Sequence, residues 1–284
     1  MAVAETLLRR ESVETEFGPV EVLKAARAPY ECHDPQAPAL LLLPGMGMDA
    51  RGFIRQLPLG ALAELHMIEH TIQPAQPASG ENGLGAFACY VEAYITAHKL
   101  DRRPGGIVLA GTSMGGALSL AIAARGRVKL RGLALIGTFG SWKQLQSWKR
   151  IATSFGWTVP SWLLRRCARP MLANTNLLGR FSREEADWMV PTPRFTRAYF
   201  QNALRALQQM DQLDAAKKLS IPTLVLHGTD DIVLPHRAGV ELAGAIPGAR
   251  FASIERANHA LFLTHSEAVN NAIAEFIRTL PAHG

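Results

Sequence analysis

The chain of 284 residues has only three cysteines, Cys32, Cys89 and Cys167. They are odd in number, far apart and without Cys-x-x-Cys spacing, which excludes a disulfide framework and a cysteine-built zinc site. They read as ordinary reduced thiols. Charged residues are also few, 19% against 48% hydrophobic. The low apolar content and lopsided charge that keep a chain disordered are therefore absent. No apolar stretch approaches the ~20 uninterrupted residues that span a bilayer. Residues 1–10 carry Glu5 and lack the basic start, apolar middle and small-residue cleavage site of a secretory signal. The expectation is a folded cytoplasmic protein without a membrane span, long enough to bury roughly three quarters of its extended surface.

Hydrophobic patterning carries the fold class. Residues 13–25 alternate apolar and polar around Phe17-Gly18-Pro19, as an opening β-hairpin does. A short, wholly apolar run at 39–43 and another at 106–110 predict strands buried on both faces, and further strands are expected at 133–137, 222–226, 65–69 and 251–254. Helical spacing appears between them, at 51–56, 84–95 and 114–124, and in the closing helix around 268–280. A Pro/Gly-rich loop is expected over 73–83. Strands alternating with helices predict an α/β fold, a mainly parallel sheet covered on both sides.

Residues 141–210 break this rhythm. They hold no strand-like run, all five tryptophans (Trp142, Trp148, Trp157, Trp162 and Trp188), and eleven Lys or Arg against Glu184, Glu185 and Asp187. The segment is thus +8 in a chain of net charge +6, and the remainder is −2. The organisation expected is a core of residues 1–140 and 211–284 with a helical cap inserted over 141–210.

The sharpest local signal is Gly111-Thr112-Ser113-Met114-Gly115-Gly116, between a predicted strand and a predicted helix. A Gly-x-Ser-x-Gly turn in that setting lifts the serine hydroxyl clear of the sheet edge, next to the free N–H groups of the helix start. A serine needs a base to take its proton, and the base needs a carboxylate to orient it. Both follow in the order expected of such a sheet. The predicted strand at 222–226 runs into His227-Gly228-Thr229-Asp230-Asp231, and the run at 251–254 leads to Asn258-His259. Asp231 is the candidate acid, 118 residues after Ser113, with Asp230 the alternative. His259 is the candidate base, 28 residues further on. The backbone N–H groups of Met114 and of Met46, in the loop 43–49, are the candidate oxyanion donors. The side chains of Met46 and Met48 serve equally well as core filler. No metal is expected: the other histidines form no ligand spacing, and a site built from His227, Asp230 and His236 is the one metal alternative.

Taken in this order and spacing, Gly111 to Gly116, residues 43–48, 227–235 and Asn258-His259 resemble the α/β-hydrolase superfamily over nearly the whole chain outside the cap. The resemblance implies the α/β-hydrolase fold, a serine esterase chemistry through an acyl-enzyme, and no cofactor. Two positions depart from the commonest pattern. Pro44 stands where a His often precedes the oxyanion glycine, and Asn258 where a Gly often precedes the catalytic His. The same triad also serves thioesterases, perhydrolases and carbon–carbon hydrolases, and the fold also serves as a non-catalytic ligand receptor.

The basic residues of the cap, Lys149, Arg150, Arg165, Arg166 and Arg169, with Arg194, Arg197 and Arg205 beyond, have few acids among them, unlike an ordinary solvated helix face. Such a patch draws in an acidic partner or a phosphate-bearing substrate. No groove-reading or base-stacking motif accompanies it, so nucleic acid is not expected. The arrangement is similar to that of biotin-pathway esterases acting on a pimeloyl methyl ester carried by acyl carrier protein, which implies that carrier as a partner.

Overall fold

The computed structural model describes residues 6–69, 81, 83–147, 150 and 196–282. Eight strands form one sheet: β1 Leu8–Val13, β2 Val20–Ala25, β3 Ala39–Leu43, β4 Glu64–Glu69, β5 Ile107–Thr112, β6 Gly132–Ile136, β7 Thr223–Gly228 and β8 Arg250–Ile254. Their order is β1-β2-β4-β3-β5-β6-β7-β8. β1 pairs antiparallel with β2 through a turn closed by Thr15 and Gly18. β2 joins β4 antiparallel, and every pairing from β4 to β8 is parallel.

The apolar runs are continuous because each strand feeds two cores. Leu41, Leu43, Leu109, Leu133, Leu135 and Val225 face one side, where they meet α1 (Leu84–Ala97) and α2 (Met114–Arg125). Their neighbours Leu40, Leu42, Val108, Ala134, Ile136, Leu224 and Leu226 face the other. There the cover is a 3-10 helix, Ala50–Ala61, and the last long helix, numbered α5 below. Successive side chains of a strand point to opposite faces, so a strand sandwiched by helices has no polar row.

Three longer helices add to the covering, with the short helices Leu213–Ala216 and Leu261–Thr264 beside them. α3 (Arg197–Gln208) packs Tyr199, Ala203, Ala206 and Leu207 onto the first core. α4 (His236–Ala245) connects β7 to β8, and α5 (Ser266–Thr279) buries Val269, Ile273, Phe276 and Ile277. The run at 51–56 is wound as a 3-10 helix that extends to Ala61 and contains Pro58, which removes a backbone donor. α3 and α4 were not placed from the sequence, and the first strand of the hairpin, expected from residue 13 onward, is Leu8–Val13 and ends where that expectation began. Most ends of the other strands and of α1, α2 and α5 fall within one or two residues of the expectation. The expected loop at 73–83 lies mostly outside the described residues.

The two ends of the 141–210 segment meet, and α3, near its end, belongs to the first core. Ser141 forms an antiparallel bridge with Asp211, and Trp142 N–H donates to the Met210 carbonyl at 3.0 Å. Of the five tryptophans only Trp142 is described. Among the described residues no helix is long and apolar enough to cross a membrane. Cys32 and Cys89 are free thiols, and Cys167 lies outside the described residues.

Candidate active site

β5, a central strand, ends at Thr112 opposite Ile136 of β6. The chain then turns through Ser113 at φ 53°, ψ −120° and enters α2 at once. A residue with a Cβ rarely adopts positive φ, and holding it there costs about 1–3 kcal/mol. The turn is held from several sides. Ser113 N–H donates to Ile136 O at 3.0 Å, and the Thr138 hydroxyl donates to Ser113 O at 2.6 Å. Its sharpness also depends on its glycines: a Cβ on Gly111 would stand 2.2 Å from Gly115 O, and one on Gly115 would stand 2.0 Å from Leu43 O.

Asp231 follows β7. Its side chain is inaccessible, three hydrogen-bond donors converge on it, and a fourth nitrogen lies close by. Oδ1 accepts the N–H groups of Val233 (2.9 Å) and Leu234 (2.8 Å), Oδ2 accepts His259 Nδ1 at 2.8 Å, and His227 Nε2 stands 3.3 Å from Oδ2. Burial alone would raise its pKa. The charge of His259 and the hydrogen bonds from His227, His259 and Leu234 overcome burial and hold the carboxyl well below the usual range. Asp230, the alternative acid, is exposed; its carboxylate accepts the Thr229 hydroxyl at 3.2 Å. The structure therefore brings Asp231, and not Asp230, to His259.

His259 lies in the turn after β8. That turn is tied to the β7 loop, with Thr229 N–H on Ile254 O at 3.1 Å and Asp230 N–H on Ala257 O at 2.9 Å. The three candidate residues gather around the end of β6. Ser113 is bonded to Ile136, while a Cβ on the next residue, Gly137, would stand 3.4 Å from His259 O and 3.8 Å from Asp231 Oδ2. The hydrogen bond of the His259 ring runs to Asp231, and none joins it to Ser113 Oγ. In free enzymes this last contact is commonly loose and tightens when substrate binds.

The loop after β3 lies against the serine: a Cβ on Gly45 would stand 3.3 Å from Ser113 Cβ and 3.9 Å from Oγ. Gly45, the residue before Met46, thus lies beside the serine, and Met114 follows it as the first residue of α2. The two methionine side chains serve packing, since Met114 is fully buried and Met46 lies partly buried against the first core. Met48 is likewise core, 3% exposed. Three buried polar groups around the site have surroundings that the sequence did not reveal, the third having been read there only as a metal-ligand alternative. Glu69, at the end of β4, accepts the Ala50 N–H just beyond the loop. Tyr199 of α3 has its phenol pushed up by burial and, more weakly, by Glu69, with the Gly47 N–H pulling against them. The third is His227, for which the His-Gly-x-x-Asp spacing was the available signal.

Of the basic patch, Lys149, Arg165, Arg166, Arg169 and Arg194 lie outside the described residues. Arg150, Arg197 and Arg205 are exposed. Among the described residues no three His, Cys, Asp or Glu side chains are grouped to hold a metal ion. The metal alternative is split apart: His227 turns to Asp231, His236 to the Ser253 hydroxyl at 2.9 Å, and Asp230 to Thr229.

Comparison with known proteins agrees with this architecture. The family described as serine aminopeptidase, S33 matches residues 83–265. The chain is 27% identical over 179 residues to the pimeloyl-[acyl-carrier protein] methyl ester esterase of Neisseria meningitidis serogroup C, covering 59% of this chain and 68% of that protein. The esterase of the same name from serogroup A is spanned over 55% of its length. The enol-lactonase from Burkholderia xenovorans LB400 shares the fold with a TM-score of 0.73 at 18% identity, over 94% of this chain and 100% of that one. So does a thermophilic esterase from Thermogutta terrifontis, with a TM-score of 0.72 at 22% identity, over 95% and 98%. The family match spans the turn at Ser113 and the bonded pair of Asp231 and His259 alike, and the chain belongs to the serine aminopeptidase S33 family of α/β hydrolases.

Proposed function

We propose that this hydrolase cleaves a carboxylic ester through an acyl-enzyme. The observation that carries the reading is the 2.8 Å bond from His259 Nδ1 to the buried Asp231, beside a serine held at positive φ. With Nδ1 donating to Asp231, the Nε2 lone pair of His259 is left to take the proton of Ser113 Oγ as that oxygen attacks the ester carbonyl. The tetrahedral oxyanion is received by the N–H groups of Met114 and Met46. His259 then returns the proton to the leaving alkoxide. Water, activated by the same imidazole, releases the acid. Asp231 stays ionised throughout and stabilises the imidazolium.

The substrate proposed is an acyl methyl ester on acyl carrier protein, with residues 141–210 as the part that meets the carrier. Two observations support it. The relatives from N. meningitidis bear that activity in their names, and the segment holds a charge of +8 in a chain whose remainder is −2. Ser113→Ala should lower turnover of p-nitrophenyl esters by roughly a million-fold and abolish labelling by a fluorophosphonate; retention of either refutes the mechanism. Charge reversal at Arg165, Arg166 and Arg169 should slow hydrolysis of carrier-bound esters while sparing small soluble ones. Equal loss on both, or none, refutes the carrier.

A further inference from the structure

His227 ends β7, is fully buried, and is used by nothing in the reaction described above. Its Nε2 stands 3.2 Å from Leu234 O and 3.3 Å from Asp231 Oδ2. A carbonyl oxygen only accepts, so the bond to Leu234 O assigns the proton to Nε2, on the side of the ring that faces Asp231 Oδ2. Nδ1, on the far side of the ring, is buried with no hydrogen-bond partner. It points at α4, where a Cβ on Gly239 would stand 2.4 Å away. The ring fills the space that this glycine leaves, and a proton on Nδ1 would be a buried donor without an acceptor.

The titratable groups against this ring are Asp231, His236 of α4, and His259 beyond the carboxylate. His236 meets it edge-on, with centroids 5.9 Å apart, and its own Nε2 is at the Ser253 hydroxyl. Two imidazoles thus share one oxygen of Asp231, His259 at 2.8 Å and His227 at 3.3 Å.

We infer that His227 is a positioning residue for the acid: its Nε2–H fixes the rotamer of Asp231 and draws off part of the charge that Oδ2 would otherwise present to His259. The inference rests on the esterase reading. An ionised carboxylate seeks donors for both oxygens, and here Oδ1 is already filled by two backbone N–H groups. Without His227, Oδ2 would direct its whole charge at His259 and favour the imidazolium, a poorer base at the same pH.

The test follows the His259 imidazole of the full chain by 15N-edited NMR between about pH 4 and 9, a measurement that requires no turnover. The variants are His227→Gln, His227→Asn and His227→Leu. A glutamine amide nitrogen reaches the place of Nε2, an asparagine amide falls short of it, and leucine has no donor. The titration midpoint of His259 should rise by about one pH unit in His227→Asn and His227→Leu, and stay within about 0.3 unit of wild type in His227→Gln. The acid limb of kcat/KM on a p-nitrophenyl ester should move with it. Unchanged midpoints in the Asn and Leu variants overturn the inference. So does a Gln variant that shifts as far as Leu, since ring packing and not the donor would then be the cause. Should His227→Leu fail to fold, the Asn and Gln pair decides. A protein that titrates as expected yet hydrolyses no ester refutes the esterase reading and leaves the His227 assignment standing.

Discussion

Gly115, in the first turn of α2, presses on the end of β3 so closely that a Cβ there would stand 2.0 Å from the Leu43 carbonyl oxygen. The contact joins the serine turn to the loop carrying Met46, so the two candidate oxyanion donors are set at a distance that a side chain would change. Backbone cannot move aside as a flexible side chain can. Gly115→Ala should lower stability by about 2–4 kcal/mol and reduce kcat on small esters. Chemical unfolding read beside steady-state kinetics checks both, and an alanine variant of wild-type stability would show that the contact is looser than described.

The strain at Ser113 gives an opposite expectation. Glycine adopts φ 53° without the penalty of a Cβ. Ser113→Gly should therefore be inactive yet more stable by about 1 kcal/mol, while Ser113→Ala, which keeps the Cβ, should not gain. Differential scanning calorimetry of the three proteins reads the difference. A glycine variant that melts below wild type would mean the turn is not strained.

The two neighbouring carboxylates should separate cleanly. Asp231→Asn is expected to lose roughly 10⁴-fold in kcat, because an amide cannot hold His259 in the tautomer that leaves Nε2 free. Asp230→Asn, exposed and bonded only to the Thr229 hydroxyl, should stay within about twofold of wild type. Comparable losses at both positions would break the assignment.

Acid stability follows from the same residue. The folded pKa of Asp231 is depressed, through its donors and the charge of His259. Its contribution is complete above the unfolded value, about 3.9, and is lost as pH falls through the lower folded value. The urea midpoint should thus be insensitive to this group near neutrality and decline below about pH 4. Asp231→Asn should begin lower and decline less steeply over that acid range. An identical slope in both proteins would remove Asp231 from the account.

Much of the core and of the site was legible in the amino-acid order because both depend on local patterns. A strand covered on both faces is apolar without interruption, and Leu40 to Leu43 or Val108 to Ala110 show that directly. A serine turn between strand and helix requires small residues at fixed offsets, so Gly111, Ser113 and Gly115 stand together. α4 escaped notice because its stretch, His236 to Ala245, mixes Gly239 and Gly244 with the exposed Val240, which blurs the helical period.

What the chain order determined by itself was the sequence of strands and helices, the serine turn, and the later strand ends that carry the candidate acid and base. Only the folded molecule decided which of two adjacent aspartates faces His259, that His227 turns to the same carboxylate rather than to a metal, and that Tyr199 and Glu69 lie around the Met46 loop. The reason is physical. Periodicity and turn chemistry act between residues a few positions apart, whereas a hydrogen bond to a buried carboxylate depends on how strands distant in sequence come to lie side by side.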